Sequence, residues 1–391
     1  MKISRTVIIL SVVSLLADIA SELLYPVMPL FLKATGYSFL AIGLLEGLAN
    51  LTAGLTKGYF GNLSDQSGAR APFVRTGYGL SSLGKGLLLF SSSLPIIYLS
   101  RLTDRVGKGV RTAPRDAILA RESTEENRAA IFGFHRAMDT AGAAIGPILA
   151  LIWLWFHPGD YRSLFVIAVL PAVSSWLFTF LIKDVAKSPA ATTKKPGFFH
   201  YLSYWKTAAV SYRKLMTALI VFALVNSPDV FLLLAVKAAG WSDQAMIGAY
   251  IFYNLIYALL AYPVGKLADK IGRRKVLLGG LFLFMLTYAG MAFNQNIIGF
   301  FILFLIYAGS MACTESVVKA MVSVIAPEKE RGTALGFYAS VSSIAALVAG
   351  AWTGIVFEKY GIETAFLLTA IGAGFALGWL FYQGKNSIVT S

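Results

Sequence analysis

The chain has 391 residues, of which 57% are hydrophobic and 14% are charged, and its formal net charge is +14 at pH 7. Because a soluble chain carries roughly 25% charged residues, this composition excludes an ordinary soluble protein. The single cysteine, Cys313, excludes an internal disulfide and a cysteine-cluster metal site. The positive charge predicts basic cytoplasmic loops rather than a nucleic-acid partner.

Apolar runs of about 20 residues recur along the chain, and each is long enough to cross a bilayer as a helix. The first run follows the basic terminus MKISR. It is too long for a signal peptide and has no small-residue cleavage site, so we predict a retained first span. Hydropathy predicts about twelve spans in total. Their approximate limits are 7–32, 38–60, 72–92, 94–120, 128–156, 161–183, 213–236, 243–267, 274–294, 297–325, 330–357 and 362–384.

Lysine and arginine are unequally distributed between the loops on the two sides of these spans. One side holds most of them, whereas the other has only Lys33, Arg162, Lys237 and Lys359. The positive-inside rule therefore places both termini in the cytoplasm. We predict a multi-pass protein of the inner cell membrane.

The sequence repeats with an offset of 204 residues. Six residues of the first half recur at constant spacing in the second: Lys33, Gly36, Gly61, Asp65, Gly68 and Arg70 match Lys237, Gly240, Gly265, Asp269, Gly272 and Arg274 (237 − 33 = 204). Further on, Arg128, Gly133 and Phe134 match Arg331, Gly336 and Phe337, one residue closer. Such a repeat predicts two parallel six-helix halves with a substrate site between them. The halves are residues 1–183 and 213–391, joined by a polar, basic cytoplasmic linker over 184–212.

Two loops, GNLSDQSGAR and GKLADKIGRRK, resemble the Gly-x-Leu-x-Asp-x-x-Gly-x-Arg signature of the major facilitator superfamily. The resemblance covers essentially the whole chain. It implies an all-α membrane protein in which twelve transmembrane helices form two pseudo-symmetric six-helix bundles. It also implies a gating role for the signature residues Gly61, Asp65, Gly68, Arg70, Gly265, Asp269, Gly272 and Arg274. We use the term charge clasp for the aspartate of each loop together with the bases expected to pair with it. Because Gln66 stands where the family usually has a base, we expect a weaker charge clasp in the first copy.

The fifth span has small residues at regular spacing, with Gly133, Gly142 and Gly146 followed by Pro147. This pattern is similar to the antiporter motif of the family's proton-driven exporters, and it implies a drug:proton-antiporter-like branch. It also implies a role in the conformational change for Gly142, Gly146 and Pro147. Small residues let helices approach closely and proline allows a bend, so packing alone is the alternative explanation.

The fourth span contains the charged sequence RLTDRVGKGVRTAPRD, residues 101–116. At 100° per residue its seven charges fall within an arc of about 140°. Facing lipid, each would cost roughly 2.5–3.5 kcal/mol near the bilayer centre. This charged stripe must therefore face a watery cavity or opposite charges. Its members are Arg101, Asp104, Arg105, Lys108, Arg111, Arg115 and Asp116.

The family's fourth span typically begins Arg-x-x-x-Gly-x-Gly-x-Gly, which Arg101, Gly107 and Gly109 match. Arg105 replaces the first glycine and Lys108 is an additional base. We therefore predict that Arg101, Arg105 and Lys108 bind an anionic substrate. Arginine suits forked binding of a carboxylate or phosphate.

A structural ion-pair network is the alternative interpretation of the same charges. The acids that could neutralise the stripe are Asp18, Glu22, Glu46, Asp104, Asp116 and Asp139, and further bases in the first half are Lys57, Lys85 and Arg136. Both interpretations can hold at once, with Arg111, Arg115 and Asp116 serving gating near the cytoplasmic end.

Acids of the first, second and fifth spans are candidates for proton coupling. Asp18 and Glu22 are four residues apart and share a helix face. Two acids close together repel each other, which favours protonation of one of them, as a coupling site requires. We predict proton coupling through Asp18, Glu22, Glu46 and Asp139. The alternative is that each acid neutralises an arginine.

The second half offers neutral polar and aromatic residues. We predict that Asn226, Tyr250, Tyr253 and Asn254 complete the substrate site, which would suit an organic anion with an apolar part. Tyrosines at such spacing also occur simply as packing residues.

The sequence shows no ATPase domain, nucleophile arrangement or metal cluster, and GLSSLGKG lacks the Ser or Thr that ends a phosphate-binding loop. We therefore predict neither an enzyme nor a cofactor, with a proton gradient as the energy source. The favoured function is proton-coupled export of a small organic anion or amphiphilic compound. The alternative is proton-coupled import of an anionic nutrient such as a carboxylate-type siderophore, metal chelate or organic phosphate. We expect a monomer whose partners are its substrate and the lipid bilayer.

Overall fold

A computed structural model of the chain describes residues 3–25, 28, 39–90, 93–182 and 197–383, without the side chains of residues 39–51, 230, 243, 244 and 383. The side chain of Glu46 therefore lies outside the described part. The same holds for Lys33, Gly36 and the linker as far as residue 196.

The described residues of the first part of the chain are mostly helical. Its helices are α1 (Arg5–Leu24), α2 (Phe39–Ser67), α3 (Ala71–Phe90), α4 (Leu94–Arg121), α5 (Arg128–Phe156) and α6 (Tyr161–Phe178). Ser4 caps α1, since its hydroxyl accepts a hydrogen bond from the Val7 amide at 3.3 Å. Asp160 caps α6 in the same way, and its hydrogen bonds with Ser163 lower the pKa of the Asp160 carboxyl.

The second part begins with a short turn and continues with long helices. These are α7 (Val210–Val225), α8 (Asp229–Ala238), α9 (Asp243–Ile271), α10 (Arg273–Phe293), α11 (Ile297–Ile325) and α12 (Arg331–Gln383). The last of these is interrupted at Gly361, whose φ of 84° is not helical. This position separates the two spans predicted over 330–357 and 362–384, and glycine adopts positive φ without strain.

The predicted seventh span, 213–236, is wrong as one continuous helix. The structure ends α7 at Val225 and starts α8 at Asp229. Pro228 explains the break, because proline has no amide hydrogen and disfavours a helical conformation of the residue before it. Asn226 accordingly lies in a helix break rather than on a helix face.

Seven helices in the described residues are long and apolar enough to cross a membrane, or eight if the bent pair His200–Thr207 and Val210–Val225 is one span. Helix α4 is not among them, although the sequence predicts a span there. Its charged stripe lowers its hydropathy. A helix with this composition needs protein or water around its charges in order to cross a bilayer.

The chain forms two compact units. The first consists of Met1–Thr124, Met138–Tyr204 and Pro327–Ser340, and the second of Glu125–Ala137, Trp205–Ala326 and Val341–Ser391. The first turns of α12 thus belong to the first unit, and the first turns of α5 belong to the second. The division into halves at 184–212 stays a prediction.

Each unit has an apolar core. The core of the first includes Leu23, Leu88, Ile97, Leu164 and Phe165. The core of the second is rich in aromatic rings, namely Tyr253, Tyr257, Phe284, Tyr288, Phe300, Phe304, Tyr307 and Phe366. Rings of this size bury large apolar areas and prefer tilted or edge contacts, which the tyrosines here make.

Candidate substrate and coupling site

Helices α3 and α4 touch backbone to backbone along a row of glycines. A Cβ atom at Gly84 would lie 2.7 Å from the Ser100 carbonyl oxygen, and one at Gly107 would lie 2.5 Å from the Gly77 carbonyl oxygen. Real Cβ atoms do not approach other atoms so closely, so larger residues would separate the two helices. The close packing brings polar groups of α3 within reach of the charged stripe on α4.

Part of the stripe forms a buried ion-pair network. The Lys85 ammonium of α3 lies 2.9 Å from the Asp104 carboxylate. Arg111 donates a hydrogen bond to the Ser81 hydroxyl, and its guanidinium lies 4.2 Å from the centre of the Tyr78 ring. These contacts hold α4 against α3, as the structural interpretation of the stripe predicts.

We expect Lys85→Met to destabilise the protein strongly. The change leaves the Asp104 carboxylate buried without its ion-pair partner, which lowers the free energy of unfolding by about 3–5 kcal/mol. Thermal unfolding of the purified protein in detergent measures this. A double variant, Lys85→Met with Asp104→Leu, removes both charges and should recover most of the loss. Equal melting temperatures for Lys85→Met and the unchanged protein would show that the pair does not stabilise the fold.

The three cations predicted to bind substrate lie together around one acid of α1. Glu22 interacts electrostatically with Lys108, Arg105 and Arg101, and Asp18 interacts with Lys108. No salt bridge or hydrogen bond holds the Lys108 ammonium within the described part of the chain. Lys108 is therefore a positive charge close to acids but available to another anion.

Helix α5 packs directly on the acidic face of α1 through the glycines of the predicted motif. A Cβ atom at Gly142 would lie 2.5 Å from the Leu15 carbonyl oxygen and 3.1 Å from the Asp18 Cβ. At Gly146 it would lie 2.6 Å from the Leu23 amide nitrogen. Both glycines therefore allow the close packing of α5 on α1. Together with Pro147 they stay candidates for a role in the conformational change.

A hydrogen-bonded chain runs from α1 through α5 to α4. Asp18 and Asp139 are hydrogen bonded through their carboxyl groups. Asp139 also accepts a hydrogen bond from the Ser14 hydroxyl, which in turn accepts one from Arg115 at 3.2 Å. A hydrogen bond between two carboxyl groups needs one proton. The structure therefore brings together two of the acids predicted for proton coupling in an arrangement that can hold a proton.

Arg115 also lies 3.0 Å from its neighbour Asp116, and both side chains are buried. Together with Arg111 these residues tie the end of α4 into the network. Their predicted gating role stays a prediction.

The first signature loop acts as a cap for another helix. Asp65 accepts hydrogen bonds from the amides of Gly332 at 3.2 Å and Thr333 at 2.7 Å, which are first-turn amides of α12. It also accepts one from the Thr333 hydroxyl at 3.0 Å and one from Arg70 at 2.8 Å. A carboxylate there satisfies free amides and is favoured by the helix dipole. Gly68, with φ of 70°, provides the turn between Asp65 and Arg70.

The second loop repeats this arrangement at the start of α5. Asp269 accepts hydrogen bonds from the amides of Ala129 at 3.0 Å and Ala130 at 2.8 Å. Its arginine partner is Arg273, whose Nε and Nη2 donate to Asp269 Oδ1 at 3.1 Å and 2.9 Å. Arg274, which the repeat predicts to be the base of this clasp, donates instead to the Leu380 carbonyl at 2.5 Å. The i,i+4 spacing of Asp269 and Arg273 favours their pairing.

The paired glycines of the two loops make equivalent contacts. A Cβ atom at Gly61 would clash with the Gly332 carbonyl oxygen, and one at Gly265 would clash with that of Ala129. Gly272, with φ of 103°, separates α9 from α10.

Each aspartate accepts four hydrogen bonds, of which an arginine donates one to Asp65 and two to Asp269. The weaker charge clasp expected from Gln66 stays a prediction.

Sequence reasoning missed an ion pair in the second unit. Arg136 lies 2.8 Å from Glu315, and Tyr257 joins them by accepting from Arg136 and donating to Glu315, each at 2.9 Å. The two charged side chains are about one-third exposed, at 32% and 35%. Arg136 is separated from Glu315 by more than 170 residues, so no local spacing could have indicated the contact.

The residues of the second unit that were predicted to bind substrate are mostly packed. Tyr253 and Asn254 are each 5% exposed. Tyr253 contacts the rings of Tyr257 and Tyr307, and Asn254 donates to the Tyr250 carbonyl at 3.0 Å. Tyr250 is half-buried, which leaves part of its side chain available for contact.

Comparison with known families agrees with this architecture. The model of the Major Facilitator Superfamily matches residues 10–254 and 230–388, which together span nearly the whole chain. The chain belongs to the major facilitator superfamily. It is therefore a multi-pass membrane transporter and not an enzyme, as the resemblance of the two signature loops predicts.

This major facilitator transporter is similar over most of its length to the three proteins that follow. An uncharacterised MFS-type transporter of Methanocaldococcus jannaschii is 32% identical, over 95% of this chain and 92% of its own. A multidrug resistance efflux pump homologue of Lactococcus lactis is 25% identical, over 94% and 93%. The crystal structure of the human organic anion transporter MFSD10 has a TM-score of 0.76, with 16% identity and coverage of 96% and 99%. At that identity the human structure shows a shared fold alone.

Proposed function

We propose that this transporter carries a small organic anion across the inner membrane and couples its movement to protons by alternating access. The observation that carries the proposal is Lys108, a cation that makes no salt bridge or hydrogen bond with a described residue and that lies with Arg101 and Arg105 near Glu22. Three cations at one place form a binding site for a carboxylate or phosphate. Cations inside a membrane span are costly for stability, and where they occur they typically mark a substrate or ion pathway.

Proton coupling is proposed for the acids that these cations face. The hydrogen bond between Asp18 and Asp139 needs one proton, and both Asp18 and Glu22 interact electrostatically with Lys108. Loss of that proton would place a new negative charge next to Lys108. The charge state of the acids would thereby change the affinity for an anion. Glu46 remains a further candidate on the basis of the sequence.

Gating is proposed for the two aspartate clasps. Asp65 and Asp269 cap helices from the opposite end of the sequence, α12 and α5. When these hydrogen bonds break, the first turns of the two helices lose their cap, which typically costs about 1 kcal/mol for each. Such a cost is small enough for substrate and protons to drive opening and closing. We propose that both termini are cytoplasmic and that the transporter is a monomer.

Export is the direction that we propose. The Lactococcus lactis relative is named an efflux pump homologue and aligns over 94% of this chain. The glycines of α5 that resemble the antiporter motif pack on the acidic face of α1, where the coupling residues lie. Coupling to the proton gradient would then require that protons and substrate bind in turn.

Import is the second candidate, and the charge arrangement favours it. Glu22 competes with any anion for Lys108, Arg105 and Arg101. Protonation of Glu22 would free the three cations, so that a proton and an anion would bind together. Ligands that bind together move in the same direction, and an inward proton gradient would then drive uptake.

The dependence of anion binding on pH distinguishes the two directions. A panel of labelled organic anions, including carboxylate chelates and organic phosphates, would be tested for binding to the purified protein at several pH values. Export by exchange predicts that binding weakens as the pH falls, whereas import predicts that it tightens. The absence of binding for every anion, with binding of organic cations instead, would contradict the proposed substrate class.

A further inference from the structure

The break between α7 and α8 places several oxygen atoms outside the hydrogen-bonding pattern of a helix. Helix α7 ends at Val225 and α8 begins at Asp229, with Asn226 in an extended conformation (ψ 98°). The C-terminal end of a helix carries partial negative charge on its free carbonyl groups. Broken helices in membrane transporters use such ends to bind cations.

Two side-chain oxygens at this break lack a hydrogen-bond donor among the described residues. They are Asn226 Oδ1 and Ser227 Oγ, and both atoms are buried. Ser227 is 0% exposed, so bulk water does not reach its hydroxyl. Buried polar atoms are nearly always satisfied in proteins, and each exception costs about 1–3 kcal/mol. A ligand that interacts with oxygen atoms would remove this cost.

The next acidic residue, Asp229, has no salt-bridge partner among the described residues. Tyr307 donates to Asp229 Oδ1 at 2.6 Å, a length typical of a hydroxyl that donates to a carboxylate. Tyr253 makes a second side-chain hydrogen bond to Asp229, and it is also a neutral donor.

The other charged groups that act on Asp229 do not compensate its charge. They are Arg136 and Glu315, which pair with each other at 2.8 Å. Asp229 is half-buried, and a carboxylate that is partly removed from water is stabilised by a positive charge beside it. The break therefore combines one carboxyl group that no described cation pairs with and two oxygen atoms that lack a hydrogen-bond donor.

We propose that Asn226 Oδ1, Ser227 Oγ and Asp229 bind a sodium ion at the break between α7 and α8. Hard cations take oxygen ligands from carboxylates, amides and carbonyl groups. One carboxylate matches a single positive charge and suits a monovalent ion better than calcium or magnesium. A proton on Asp229 alone would leave the oxygens of Asn226 and Ser227 unsatisfied. This site goes beyond the proposed function, since it adds a second ion in the second unit.

The test is sodium-dependent thermal unfolding of the purified full-length protein, with choline replacing sodium at constant ionic strength. We expect a saturable rise in melting temperature with sodium, because an ion that binds only the folded state stabilises it. Retention of labelled sodium by the protein should follow the same concentration dependence. An equal effect of choline, or stabilisation by acidic pH without sodium, would overturn the proposal.

Two variants assign the site. Ser227→Ala removes a hydroxyl that has no protein partner, so the protein should fold normally and bind sodium about tenfold more weakly. Asp229→Asn should abolish the sodium response. Thr140→Val is the control, since it removes another buried hydroxyl without a partner, but in the first unit.

An unchanged sodium response in Ser227→Ala and Asp229→Asn would also overturn the proposal. Because the assay contains no transported substrate, its failure would leave the proposed anion transport untouched.

Discussion

Lys108→Met is expected to weaken binding of the transported anion by about 10- to 100-fold, the usual loss for one charged hydrogen bond. The methionine keeps a long apolar stem and removes only the ammonium. Since that ammonium makes no salt bridge or hydrogen bond with a described residue, the melting temperature should fall far less than in Lys85→Met. Equilibrium binding of the anion to the purified variant measures the effect.

Lys359→Met is the matched control, because Lys359 is exposed and lies on α12 two residues before the interruption at Gly361. Arg105→Ala removes another cation near Glu22 and should abolish binding of the anion. Normal affinity in folded Lys108→Met and Arg105→Ala would assign the stripe to structure alone, as Lys85 and Asp104 already are.

Asp18→Asn is expected to separate exchange from accumulation. The amide has the shape of the carboxyl group and can donate the hydrogen bond to Asp139, but it cannot release a proton. Exchange of labelled for unlabelled anion across a vesicle membrane should therefore persist. Accumulation driven by a proton gradient should be lost. Both are measured in proteoliposomes that contain the purified variant.

Glu358→Gln controls for the loss of a negative charge, since Glu358 is exposed and lies far along the chain. The control should accumulate the anion normally. Normal accumulation by Asp18→Asn would remove Asp18 from the coupling site and leave Glu22, Glu46 and Asp139 as candidates.

The sequence predicted features that follow from periodicity and composition. The apolar runs, the 204-residue repeat and the two signature loops indicated the superfamily, and the family match agrees. The arc of charge on the fourth span predicted a watery cavity or opposite charges beside it, because lipid exposure was too costly, and Lys85 with Asp104 provides such an opposite charge. All seven charged side chains of the stripe are buried or half-buried in the structure.

Partner choice could not be predicted, because it depends on distances across the fold. Asp269 pairs with Arg273 rather than Arg274, and Asp104 with Lys85. The contact of Arg136 with Glu315 has no local signal at all. The helix break before Asp229 did have one, since Asn226-Ser227-Pro228 combines a turn-forming residue with proline.

Transport of an anion by the purified protein in proteoliposomes, with and without a pH difference across the membrane, tests the central claim most directly. Proton-coupled anion transport predicts that a labelled organic anion accumulates when the pH difference is imposed. It also predicts that accumulation collapses when a protonophore removes this difference. Accumulation that is unaffected by the protonophore, or transport restricted to cationic compounds, would contradict the claim.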